Sequence, residues 1–138
     1  MARSLALAAA AAAVLLTGCG SAQPAPRAHD AQVIVKRDAA NGSTVRLAVG
    51  DKLELVLASS YWTFRGSSPP GVLRQTGPVQ LLKTTRTCVP GGGCRPKRVI
   101  YRAIKAGRAV ITAHRVSCGE ALACTGSKRR FTLTVVVG

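Results

Sequence analysis

Aromatic and acidic side chains are scarce in this chain of 138 residues, which has one Trp, two Tyr and two Phe against five Asp and Glu. So few aromatic rings exclude a stacking platform for single-stranded nucleic acid. The acids are Asp30, Asp38, Asp51, Glu54 and Glu120, and the histidines are His29 and His114. Asp51 is explained by a turn, Glu54 by the solvent face of a strand, and His114 by its place in an alternating run. Glu120 has no partner carboxylate nearby in the sequence. No nucleophile, base and orienting group assemble from this set, so catalysis is not expected. A C-x-x-C redox pair is absent, and C-x5-C spacing does not suit a four-cysteine zinc site. Neither a metal nor another cofactor is expected. Beyond residue 18 no run shows the 3.6-residue period of an amphipathic helix, and none is long and apolar enough to span a membrane.

The N-terminus has the one long apolar run. Met1-Ala2-Arg3 is a short basic start, and Leu5 to Leu16 is an apolar core made mostly of Ala, Leu and Val. This is the anatomy of a secretory signal, too short for a bilayer-spanning helix. Leu16-Thr17-Gly18-Cys19 closes it and resembles the lipobox of bacterial lipoproteins. The resemblance implies cleavage before Cys19 and acylation there. The competing reading is an ordinary cleaved signal in which Cys19 is incidental. The chain then divides into a signal peptide at 1–18, a flexible tether at 19–32 rich in Ala, Pro and Ser, and a domain at 33–138. The expected place is the cell membrane, lipid-anchored on the extracytoplasmic side.

Charge is strongly one-sided. Twenty Lys and Arg give a formal charge of +15, or +14 once Arg3 leaves with the signal. Such an excess favours anionic partners, among them envelope polymers and lipid head groups. The cations are scattered, apart from Arg95-Pro96-Lys97-Arg98 and Lys128-Arg129-Arg130. With export expected, nucleic acid is not a partner.

Five cysteines are present. With Cys19 spent on lipid, Cys88, Cys94, Cys118 and Cys124 remain as an even set in an oxidising compartment, where disulfides form. Cys88–Cys94 and Cys118–Cys124 are the simplest pairing. Cross-links between the two loops are the alternative, and the sequence leaves the connectivities open.

From Val33 the period is two. Val33-Ile34-Val35 opens a short strand, and Asn41-Gly42-Ser43 is a turn. Val45, Leu47 and Val49 alternate with Thr44, Arg46 and Ala48. Gly50-Asp51 turns the chain into Leu53, Leu55 and Leu57, so the two runs read as a hairpin. Val79 to Thr85 reads as a moderate strand. Val99, Tyr101 and Ala103 form the next, followed by Ala109, Ile111 and Ala113. Phe131, Leu133, Val135 and Val137 end the chain. Short strands with regular turns make an all-β sandwich.

The order of these features resembles the chagasin-type inhibitors of papain-like cysteine proteases, over roughly Thr44 to Val137. Val49-Gly50-Asp51 with alternating Leu matches that family's opening. Ser59-Ser60-Tyr61-Trp62 falls at its first binding loop, Gly91-Gly92-Gly93 at its Gly-rich second loop, and Arg115 to Gly126 at its third. Two loops depart from the family pattern. The first lacks the Asn-Pro-Thr-Thr-Gly of the family. The third has Arg115-Val116-Ser117 and a Cys-bounded insert in place of Arg-Pro-Trp. The resemblance implies an immunoglobulin-like sandwich and a non-catalytic module that binds a papain-like protease or another protein. The candidate binding residues are Ser59, Ser60, Tyr61, Trp62, Gly91, Gly92, Gly93, Arg115, Ser117, Gly119 and Glu120. The alternative is a structural or ligand-binding envelope lipoprotein whose basic surface holds anionic polymers or lipids.

Overall fold

A computed structural model describes residues 29–84, 87–119 and 121–138. The expected signal peptide, Cys19, most of the expected tether and Glu120 lie outside the described residues. No helix among those described is long and apolar enough to cross a membrane.

Among the described residues eleven strands follow one another: β1 (Val33–Arg37), β2 (Thr44–Leu47), β3 (Lys52–Leu57), β4 (Thr63–Ser68), β5 (Leu73–Gln75), β6 (Gln80–Leu81), β7 (Lys97–Ala103), β8 (Gly107–His114), β9 (Ser117–Gly119), β10 (Leu122–Ala123) and β11 (Arg130–Val137). One sheet has the order β1-β3-β7-β5, with β6 also on β7. The second has the order β2-β11-β8-β4, and β9 and β10 form a separate ribbon. β1 runs parallel to β3 and β2 parallel to β11; the other pairings are antiparallel.

The two sheets face each other across one core. Leu53, Leu55 and Leu57 of β3 and Val99, Tyr101 and Ala103 of β7 supply one side. Ala109, Ile111 and Ala113 of β8 meet them with Phe131, Leu133, Val135 and Val137 of β11. Each set sits at alternate positions, because successive side chains of a strand point to opposite faces. Tyr101 is fully buried and its hydroxyl has no protein partner. Burial pushes its pKa up to about 12.

Two expectations are corrected. β2 and β3 are not a hairpin; they lie in different sheets. At Gly50-Asp51 the chain crosses the sandwich instead of folding back. Gly50 has φ +98, a left-handed conformation that suits glycine. Asp51 is buried, and its carboxylate accepts from Ala48 N at 2.8 Å and Gln32 N at 2.9 Å. Each strand then takes a parallel partner, β11 for β2 and β1 for β3. Val49 falls in this crossing and is exposed, outside β2. The strand expected over Val79 to Thr85 shrinks to the two residues of β6, and β5 was not expected at all. Only Leu73 of β5 is buried, so no alternation marks it.

The register sets the polarity of the domain. β3 ends, β4 begins, β7 begins, β8 ends and β11 begins at one end of the sandwich. The Asp51 turn, the entry to β1 and the C-terminus lie at the other. Two residues of the stretch read as tether bind there. His29 Nε2 donates to Asp51 Oδ1 at 2.8 Å, and Gln32 O accepts from Lys52 N at 2.8 Å.

Candidate functional site

Three connections meet at the end where β3 stops. The first is Ser59–Trp62, between β3 and β4. Ser59 N donates to Leu57 O at 2.8 Å, and its Oγ accepts from Tyr61 N at 3.2 Å. Ser59 and Trp62 are buried, so these two side chains support the loop from below and are not its surface. Trp62 sits edge-on to Phe131, with ring centroids 6.4 Å apart, and Lys97 Nζ donates to Trp62 O at 2.9 Å. Ser60 and Tyr61 are half-exposed above it.

The second connection holds Gly91–Gly93 within the Cys88–Cys94 disulfide, whose Cα atoms are 5.8 Å apart. Gly93 O accepts from Ser60 N at 2.8 Å, and the Tyr61 hydroxyl donates to Gly91 O. The Tyr61 ring lies against the glycine loop. A β-carbon on Gly93 would lie 2.1 Å from Tyr61 Cε2, and Gly93 has φ +61. Both facts require glycine at that position.

The third connection runs from Arg115 to the start of β11. The Arg115 guanidinium stacks 4.5 Å from the Trp62 ring centroid, and its Nε donates to Lys128 O at 2.8 Å. Val116 O accepts from Cys124 N at 2.9 Å. Cys118–Cys124 staples the β9–β10 ribbon, with Cα atoms 5.1 Å apart. Ser117 Oγ accepts from Gly119 N at 3.4 Å. Of the two open pairings, the structure therefore has the local one in both loops.

Contacts join all three connections. The first bonds the second through Ser60 and Gly93, and the third covers the first through Arg115 on Trp62. The third also approaches the second: a β-carbon on Gly119 would lie 4.0 Å from Gly92 O. The result is a continuous rim of loops closed by two disulfides. Rigidity of this kind lowers the entropy lost when a loop is fixed by a partner.

Solved structures similar to this chain include two domains matched over their full length. One is the cysteine protease inhibitor EhICP2 from Entamoeba histolytica, with TM-score 0.56 at 9% identity, covering 80% of this chain and all of that one. The other is the solution structure of amebosin, with TM-score 0.52 at 19% identity and the same coverage. The fold is a chagasin-like, immunoglobulin-like β-sandwich. No family model and no curated protein matches the chain.

The rim also carries residues outside the sequence-based set. Val89, Val116 and Leu122 are 55%, 65% and 70% exposed, one beside the glycines and two in the third connection. Apolar side chains held in the open by stapled loops are suited to burial against a partner. The signal that finds them is an apolar residue inside or beside a Cys-bounded loop, where strand alternation has stopped. Chemistry is sparse at this end. Among the described residues, no group of three or more His, Cys, Asp and Glu could hold a metal ion.

Proposed function

We propose that this protein is a non-catalytic protein-binding module whose three-loop rim occupies the active-site cleft of a papain-like cysteine protease. The observation that carries the reading is the rim itself: three connections, two of them disulfide-closed, bonded to one another at one end of a chagasin-like sandwich. Backbone-rich glycine at Gly91–Gly93 allows close approach to a cleft, and Val89, Val116 and Leu122 supply apolar contact area on its flanks. A rigid rim also resists cleavage, because a protease needs an extended, deformable segment.

The same reading includes an anchored position. Cys19 would carry lipid on the extracytoplasmic side of the cell membrane. Its support is the lipobox-like sequence, joined to the polarity of the domain. The chain enters β1 at the end opposite the rim, where His29 binds Asp51. A membrane tether at that end leaves the rim facing away from the surface.

Titration of papain with the purified protein, read through hydrolysis of a fluorogenic peptide, tests the inhibitor reading. Activity is expected to fall in proportion to added protein and to reach zero near equimolar amounts. Full papain activity at micromolar excess would reject it.

A further inference from the structure

The outer face of the second sheet carries a cationic groove beside the rim. It measures about 920 Å³ and lies between Asn41–Gly42, the end of β8 and the loop leading into β11. Its charge comes from several directions: Arg65 from β4, Arg129 just before β11 and Arg130 at its start, with His114 from β8 between them. Among the described residues no carboxylate lines it.

The frame of the groove is fixed by hydrogen bonds. Asn41 Nδ2 donates to Arg130 O at 3.0 Å, and Asn41 Oδ1 accepts from Thr132 N at 2.9 Å. Arg115 N donates to Arg129 O at 2.9 Å. The backbone that carries Arg129 and Arg130 is thus held from both sides. Across the groove, the β4–β8 register slips between Phe64 and Ser67, where Gly66 has φ +82. A bulge of this kind re-aims the side chains around it. Arg65 Nε donates to His114 Nδ1 at 3.2 Å. That bond leaves the imidazole Nε2–H as a donor and keeps the terminal nitrogens of Arg65 available.

We propose that this groove binds phosphate groups of an anionic polymer or head group. Gathering three guanidinium groups without an acid raises the local potential, and an anion relieves it. Guanidinium forks hold phosphate oxygens in pairs. Donors arriving from different strands suit the tetrahedral oxygens of phosphate better than the single plane of a carboxylate. The groove adjoins the rim's third connection through Gly126, Ser127 and Arg129, but the ligand proposed for it is distinct from the protease.

The test uses the full chain carrying Cys19→Ser, so that lipid does not itself attach the protein to vesicles. Binding is measured to soluble linear polyphosphate, and to phosphatidylglycerol vesicles against phosphatidylcholine vesicles. No protease is present, so the result stands apart from the inhibitor reading. The double variant Arg65→Gln/Arg130→Gln is compared with Arg74→Gln/Arg102→Gln. The latter pair is exposed on the other sheet and removes the same charge. The groove variant is expected to bind at least tenfold more weakly and with a shallower salt dependence, while the control stays within about twofold. Polyphosphate binding that survives without vesicle binding assigns a soluble polymer; preferential vesicle binding assigns a head group. Equal losses in both variants, or no binding of wild type to either probe at low salt, would overturn the proposal. So would undiminished polyphosphate and vesicle binding by the groove variant.

Discussion

At Gly93 the rim has no room for a side chain. The Tyr61 ring occupies the space a β-carbon would need, 2.1 Å away, and the left-handed backbone adds strain. Gly93→Ala is expected to cost about 1–3 kcal/mol and to weaken papain inhibition, because Tyr61 must swing off the glycine loop. Gly91→Ala is the comparison. Its φ is +78 with nothing within 4 Å of the added atom, so only the backbone cost of roughly 1–2 kcal/mol applies. Thermal denaturation of the two variants, with papain titration alongside, separates crowding from backbone strain. At the opposite end, hydrogen bonds from the Gln32 amide, and then from Ala48 and His29, lower the Asp51 pKa against the opposing effect of burial. A depressed carboxylate stabilises the folded state fully above its unfolded value of about 3.9. That stabilisation fades as pH falls below this value and is lost once the folded group is protonated. Asp51→Asn removes it, so the variant's melting temperature should change less than that of wild type between pH 5 and pH 2. Tyr101 behaves oppositely. Its raised pKa, about 12, means that ionisation favours the unfolded chain as pH climbs from about 10. An absorbance titration should show one tyrosine ionising near 12, and Tyr101→Phe should be as stable as wild type or more so, since it removes a buried hydroxyl without a protein partner.

At the scale of elements, much of the sandwich was legible in alternation alone. β7, β8 and β11 bury alternate residues, and β11 shows it most clearly because Thr132 and Thr134 separate Phe131, Leu133 and Val135. β5 was not legible, since one buried leucine followed by Arg74 and Gln75 has no period. The supposed hairpin failed for a different reason. Alternation tells which face of a strand is buried but not which strand lies beside it, and β2 and β3 present apolar faces to the same core from opposite sheets. The rim was legible only as a set of loops in an order resembling a known family. Their meeting depends on Ser60 reaching Gly93 and Arg115 covering Trp62, contacts between residues far apart in sequence. Trp62 and Ser59 are among the candidate binding-loop residues and are buried, because Trp62 closes the core beneath the loops. The staples act at this scale too. Replacing Cys118 and Cys124 with Ser frees a six-residue separation and should cost about 2–3 kcal/mol in denaturant titration. The β9–β10 ribbon should then loosen, raising the concentration needed to inhibit papain.

The whole molecule is polar in the geometric sense. Entry to β1, the C-terminus and the Asp51 turn share one end, and the loop rim is at the other. Under the proposed anchoring, a lipid at Cys19 would attach at the end of the domain opposite the rim. The formal charge of +15 is spread over the surface, yet three of its arginines converge on one groove beside the rim. The similarity to EhICP2 at 9% identity concerns this shared architecture. The central claim is that the rim, rather than a sheet face, contacts the protease. Hydrogen–deuterium exchange on the protein with and without papain tests it most directly. The account predicts slowed exchange in residues 59–62, 91–93 and 115–124, with no change around Asp51 or on the outer sheet faces. Protection on a sheet face with the three loops unaffected, or no protection anywhere at saturating papain, would contradict it.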